Sequence, residues 1–145
     1  MNKQQLRNRI RSHLEEQQKQ KAEKMDAITG KHHYNRSSEF YQSGKWKHLR
    51  EYIMSRCPVC FNCKKHGIVT PATEIHHAIP FLTGETKTDQ WDLFLDYSNL
   101  VPLCSYCHDK IHSLMHKRHS IIDIRYTDEV LPKKIYERNI ENGLI

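Results

Sequence analysis

Two short stretches repeat one chemical pattern, CFNC at residues 60–63 and CSYC at residues 104–107. Each Cys-x-x-Cys turn aims two sulfurs at one point, so two such turns supply the four thiolates of a tetrahedral structural zinc site. Two pairs at matching spacing are poorly explained as small buried hydrophobes. The first stretch is ambiguous, because CPVCFNC contains two overlapping pairs, Cys57/Cys60 and Cys60/Cys63. Cys60 is shared either way, and spacing alone leaves Cys57 against Cys63 open. Five cysteines clustered in this way, behind an N-terminus with no apolar signal-peptide centre, favour metal over disulfides.

The histidines form a second pattern. His108 follows Cys107 directly, and His112 comes four residues later. On a helix, residues four apart share a face and neighbours lie about 100° apart. Cys107 can therefore point at a zinc while His108 and His112 point into a different site. The stretch EIHHAIP, residues 74–80, supplies the rest of that site. Neighbours on a strand face opposite ways, so His76 and His77 cannot both join one metal. The consistent division is that one binds a metal while the other handles a proton, since a histidine whose lone pair ligates is unavailable as a base. Glu74 shares the face of His76 in a regular strand and reads as a solvated carboxylate. His13, His32, His33, His48, His66, His116 and His119 lack such a context and read as surface histidines.

Elements must position these residues. A length of 145 residues suits one modest domain. Mean hydropathy is -0.80 and 37% of residues are hydrophobic, so the core is small. No apolar run reaches membrane-spanning length, and an intracellular, cytoplasmic protein with no membrane partner is expected. The net charge is +6. Residues 1–36 hold nine Lys/Arg against four Asp/Glu, and residues 37–145 hold fourteen against thirteen, so most of the basic excess sits in an N-terminal arm. Residues 3–28, rich in Gln, Lys, Arg and Glu and free of Pro and Gly, predict a solvated helix with a thin stripe of Leu6, Ile10 and Leu14. TGKHHYNRSS then breaks the pattern as a link. Ser37, Ser38 and Ser43 are candidate N-caps for a helix whose face carries Phe40, Trp46, Leu49, Tyr52 and Ile53, read as core. A strand is expected near Ala72–His77, ended by Pro80. FLTGETKTDQWDLFLDYS packs down through Trp91, Leu93, Phe94 and Leu95. NLVPLC is a second short strand, and SYCHDKIHSLMHKRH a helix with Ser105 as its cap. IIDIRY reads as a weak strand, followed by a short helix after Pro132.

In order along the chain, FYQSGKWKHLR, CFNCKKHG, TPATEIHHAIP, SNLVPLCSYCH and KIH together resemble the HNH endonucleases, the ββα-metal nucleases, over roughly Tyr34 to His112. The lead-in resembles that of small phage and prophage members often encoded beside packaging genes. The resemblance implies an α+β fold: a small zinc-bound HNH domain over residues 37–119, a basic helical arm over 1–36 and a C-terminal extension over 120–145. It implies that His77 is the general base, that His76 and His108 bind the catalytic divalent ion, and that Asn99 braces the loop holding the base. His112 matches a position that binds metal or phosphate in some members. Cys60, Cys63, Cys104 and Cys107 match the structural zinc cysteines. Cys57 falls where the family usually has a non-cysteine residue, which favours Cys60/Cys63 as the first pair.

The expected activity is metal-dependent cleavage of double-stranded DNA. A structural Zn²⁺ is expected, with Mg²⁺, Mn²⁺, Ni²⁺ or Zn²⁺ as the catalytic ion. By ligand softness two imidazoles suit the last three better than Mg²⁺. Sequence specificity is expected to be weak, with salt-sensitive affinity from phosphate contacts. Lys45, Lys47, Arg50, Lys110, Lys117 and Arg118 are available for such contacts. A monomer is expected, with a phage terminase or portal as a further partner. The competing reading is a zinc-stabilised DNA-binding or assembly module in a packaging complex. It does not require His76, His77, Asn99 and His108 together. A transcription-factor zinc ribbon leaves both EIHH and the CSYCHDKIH helix unexplained.

Overall fold

The computed structural model describes residues 2–29 and 34–145. Helix α1 (Lys3–Thr29) opens the chain. Asn2 and Gln5 exchange side-chain-to-backbone hydrogen bonds at 2.8 and 2.9 Å, a reciprocal cap that satisfies two end groups. Every residue from Asn2 to Lys24 is exposed, including the Leu6, Ile10 and Leu14 stripe. Only the last turns dock: Ile28 is buried, and Met25 Sδ lies 3.4 Å from His119 Nδ1. Of the expected link, residues 30–33 lie outside the described residues. The rest enters helix α2 (Tyr34–Tyr41), so Ser37 and Ser38 lie inside a helix and not at its N-terminus. Ser43 does cap α3 (Gly44–Arg56), its Oγ accepting from the Trp46 N–H at 3.2 Å.

Helix α4 (Phe61–Lys65) is a short turn that follows Cys60 and carries Cys63. It ends at Gly67, whose φ of +77° is the left-handed conformation that glycine adopts without steric cost. The chain then enters β1 (Glu74–His77), passes a 3₁₀ turn at Phe81–Thr83, and forms α5 (Lys87–Leu95). Thr86 and Asp89 close a capping box at the start of α5. A second 3₁₀ turn, Tyr97–Asn99, leads into β2 (Leu100–Leu103), which pairs antiparallel with β1. Helix α6 (Ser105–Arg118) follows, with Cys104 at the N-cap position making no side-chain cap bond and the expected cap Ser105 as the first helical residue. The chain closes with a 3₁₀ turn at Ile124–Tyr126 and α7 (Lys133–Glu141).

The register sets the two faces of the hairpin. His77 opposes Leu100 and Ile75 opposes Pro102, while His76 opposes Val101 and Glu74 opposes Leu103. Ile75 and Leu100 pack into an aromatic cluster with Phe40, Trp46, Ile53, Phe81 and Phe94. Val101 and Leu103 pack on the other side, with the zinc-type cysteines, Ile111 and Met115 of α6, and Ile124 and Val130. The apolar side chains of β1 and β2 thus divide the core into two halves. The expected single helical face is split over two helices: Phe40 of α2 and Trp46 and Ile53 of α3 are buried and Leu49 is half-buried, whereas Tyr52 is exposed.

The IIDIRY segment does not form a strand. Asp123 accepts the Arg125 backbone N–H at 3.0 Å, which starts a turn instead. The carbonyls of Ile124 and Thr127 are taken by Lys65 Nζ at 3.0 and 2.6 Å, and that of Val130 by Asn62 Nδ2 at 2.8 Å. Side chains of α4 therefore hold this segment where a neighbouring strand would otherwise be needed.

Candidate active site

The four sulfurs of Cys60, Cys63, Cys104 and Cys107 lie within 4.8 Å of one another, and all four residues are buried. Cys63 Sγ is 3.9 Å from Cys104 Sγ and 3.8 Å from Cys107 Sγ. A tetrahedron with metal–sulfur arms of about 2.3 Å has edges of about 3.8 Å, so these separations fit one ion. Electrostatics fits it as well. Burial pushes the Cys63 thiol up to about 11, and the bond to Cys60, with burial, pushes Cys107 up further. A hydrogen bond from Cys107 holds Cys60 down. Packed together without a cation, these thiols cannot all ionise, and a divalent ion removes that obstacle. Two backbone segments shape the first cysteine turn: the Cys60 N–H donates to Thr70 O at 2.8 Å and the Ala72 N–H to Pro58 O at 2.7 Å. Asn62, fully buried, points Nδ2 at Cys107 Sγ at 3.4 Å. Cys57 lies outside the cluster, at the C-cap of α3.

A second cluster joins β1 to α6. The imidazole nitrogens of His76, His108 and His112 lie within 4.8 Å of one another. The two Nε2 atoms of His108 and His112 are 3.1 Å apart. His76 is buried, and its Nε2 has no hydrogen-bond partner among the described residues. Burial, then the neighbouring His112 and His108, hold His76 well below the ordinary histidine range, and burial lowers His108 too. Three imidazoles with converging ring nitrogens, one of them buried and unpartnered among the described residues, are what a divalent cation takes. His112 stands in this set beside the two expected ligands.

His77 behaves differently. Its ring lies near-parallel to Phe94 (4.9 Å, 15°) and to Trp46 (5.5 Å, 27°), which pack on each other at 4.7 Å, so the three rings form one cluster that fixes the imidazole. Nε2 lies 3.1 Å from the Phe94 carbonyl, which can only accept. The proton is therefore on Nε2, and the Nδ1 lone pair is left without a protein partner among the described residues. Burial lowers His77 to about 4, partly offset by the Phe94 carbonyl.

Asn99 is buried at the end of the second 3₁₀ turn. Its Oδ1 accepts from the Ile79 N–H at 2.8 Å, and Nδ2 donates to Ile79 O and Leu93 O, both at 3.0 Å. Its own carbonyl accepts from the Ala78 N–H at 2.8 Å. Asn99 thus ties the two residues after His77 to α5, the helix that presents Phe94.

A family model described as HNH endonuclease matches residues 60–114, which span both cysteine pairs and all three clustered histidines. A probable HNH endonuclease of Lactococcus phage SK1 is 33% identical over 76 residues, covering 52% of this chain and 77% of that protein. This chain belongs to the HNH endonuclease family. The crystal structure of an HNH endonuclease of the deep-sea thermophilic bacteriophage GVE2, with manganese ion, is similar at a TM-score of 0.51 and 27% identity. That likeness covers 59% of this chain and 87% of that one. The chain is accordingly a nuclease of α+β architecture, with a buried four-cysteine cluster able to hold a metal.

The other singled-out residues fall away from this HNH site or play small parts. Glu74 is exposed. Arg50 donates to the Thr73 carbonyl at 3.3 Å, Arg118 pairs with Glu129, and Lys110 lies over the Tyr106 ring at 5.3 Å. His13, His48, His116 and His119 are exposed, His66 is half-buried with Nδ1 2.8 Å from Asn62 O, and His32 and His33 lie outside the described residues. Two partners were not anticipated. Asn62 carries no signal beyond its place inside CFNC. The Phe94 partner of His77 is a backbone carbonyl, which no residue type announces.

Proposed function

We propose that this HNH protein hydrolyses DNA phosphodiester bonds, with His77 taking the proton from the attacking water. The observation that carries this reading is the orientation of His77: Nε2–H is committed to the Phe94 carbonyl, and Nδ1 is left as the open base. A group lowered to about 4 is unprotonated at neutral pH. Its base strength rises when an anionic phosphate arrives, because that charge stabilises the imidazolium. The Phe94 carbonyl favours the same charged form. Trp46 and Phe94 fix the ring plane, and Asn99 fixes the backbone beyond it, so the base is pre-positioned.

His76, His108 and His112 hold the catalytic divalent ion, and Cys60, Cys63, Cys104 and Cys107 hold a structural zinc. The ion, when bound, supplies Lewis-acid stabilisation of charge on the phosphate and the departing oxygen. Three imidazoles suit Mn²⁺, Ni²⁺ or Zn²⁺ better than Mg²⁺ by ligand softness. Cleavage leaves 5′ phosphate and 3′ hydroxyl ends, with weak sequence specificity. The protein acts on double-stranded DNA as a monomer in the cytoplasm of a bacterial host, with a phage terminase or portal as its partner in packaging.

Supercoiled plasmid incubated with zinc-loaded protein tests this, in the presence of Mn²⁺, Ni²⁺, Mg²⁺ or no added ion. Nicking that requires an added ion, and that is lost in His76→Ala and His108→Ala, is expected. Folded, zinc-bound protein that nicks with none of these ions would point to a DNA-binding or assembly module instead.

A further inference from the structure

A groove of about 410 Å³ lies away from the histidine cluster, beside β2. Among the described residues β2 pairs only with β1, so its other edge carries no strand. The groove is lined by Leu100 to Pro102 of that strand, by Tyr97 and Ser98 before it, by Ile53 to Phe61 in part, and by Lys64 and Arg125. Three of its lining residues are cationic and none is acidic. Arg125 is engaged by Asp123 and donates to Ser98 O at 2.6 Å, so it forms a fixed wall. Arg56 and Lys64 have no carboxylate within ion-pair distance among the described residues, and they carry the free charge.

The same surface exposes aromatic rings. Tyr97 is 53% exposed, Phe61 37% and the adjacent Tyr52 46%. Tyr52 and Tyr97 lie edge to face at 6.2 Å, and the Arg56 guanidinium sits 4.7 Å over the Tyr52 ring. These rings are not on loose tips. Phe61 lies between the paired cysteines Cys60 and Cys63, and Tyr97 lies in the 3₁₀ turn that ends in Asn99. Holding apolar rings rigidly in water forgoes their burial energy, which is unusual unless a ligand covers them.

We propose that this groove docks unpaired nucleic-acid strand, so that the preferred substrate of the nuclease is duplex DNA carrying a single-stranded segment. Exposed rings stack bases of any sequence, and the uncompensated Arg56 and Lys64 meet the phosphates between them. The volume, near the lower end for bound organic groups, takes a nucleobase or two and no duplex. An acidic or neutral partner with no stacking surface would use the charge or the rings, and the groove presents both. The role in substrate choice rests on the nuclease reading; the binding itself does not.

Fluorescence anisotropy measures this on the full-length zinc-loaded protein without added divalent ion. The probes are a labelled blunt duplex and the same duplex with an oligothymidine tail. Tighter binding of the tailed duplex is expected, by at least about fivefold for one stacked base. Tyr97→Ala and Phe61→Ala lose that preference, while their blunt-duplex affinity, zinc content and plasmid nicking stay at wild-type levels. Arg56→Ala weakens tail binding and lowers its salt dependence. Equal affinity for the two duplexes, or a preference that survives in both aromatic variants, overturns the proposal. A groove that instead takes a proline-rich peptide, with no tail preference, overturns it in favour of protein segments. Tail preference without nicking would sink the nuclease reading and leave the groove standing; nicking without tail preference would do the reverse.

Discussion

Asn99→Ala removes three hydrogen bonds that a single buried amide makes to the backbone of Ile79 and Leu93. Each is worth about 1 kcal/mol net, and a group left unsatisfied in the interior costs about 1–3 kcal/mol. Ile79 is partly exposed, so water replaces some of what is lost there. The expected loss of stability is about 2–3 kcal/mol, which for a urea slope of about 2 kcal/mol/M lowers the midpoint by about 1–1.5 M. The same variant frees the chain two residues beyond His77, so plasmid nicking falls as well, by more than the unfolded fraction accounts for. Asn99→Asp separates the two effects of the amide. It keeps the acceptor for the Ile79 N–H but sets a carboxylate against two carbonyls, and it is at least as destabilising as the alanine at neutral pH. Urea unfolding of zinc-loaded protein, with nicking measured far below the midpoint, provides both numbers. A loss under about 1 kcal/mol with nicking intact would refute the idea that Asn99 holds the base in place.

Cys63→Ser is expected to lose bound zinc and to unfold cooperatively, whereas Cys57→Ser keeps one zinc per chain; zinc content by atomic absorption decides both. Phe94→Ala, which removes a fully buried ring packed on Phe40, Trp46, Phe81 and His77, costs about 3–5 kcal/mol in thermal or urea unfolding. Burial opposes ionisation of Asp123, but hydrogen bonds and charge from Arg125 outweigh it and hold its carboxyl below the ordinary range. A depressed pKa contributes stability above the unfolded value of about 3.9, lost as pH falls through the folded one. Asp123→Asn therefore lowers stability near pH 6 and narrows the gap to wild type in more acid solution, as read from unfolding midpoints across pH.

Much of the site is visible in the sequence because metal ligands need particular residue types at particular spacings. The two Cys-x-x-Cys pairs and the His108/His112 pair one turn apart are such cases, and the structure brings each set together. The opposite faces of His76 and His77 follow from strand alternation in the same way. What the sequence hides is set by backbone and tertiary contacts. The choice of Cys63 over Cys57 is a matter of where one turn points. The Phe94 carbonyl that fixes the His77 tautomer belongs to no residue type. Tyr52 keeps helical spacing with Trp46, Leu49 and Ile53 yet stays exposed, because the aromatic cluster is filled from α5 and the 3₁₀ turn instead. IIDIRY has strand-like composition, but Asp123, Lys65 and Asn62 take its backbone partners first.

The central claim is that His77 Nδ1 is the base. Its most direct test is the nicking rate of zinc-loaded His77→Ala against wild type with saturating Mn²⁺, alongside Mn²⁺ affinity measured by calorimetry. The account predicts at least about a hundredfold loss of rate, of the size general-base catalysis contributes, with Mn²⁺ affinity nearly unchanged because His76, His108 and His112 remain. Wild-type nicking by a folded, manganese-bound His77→Ala would contradict it.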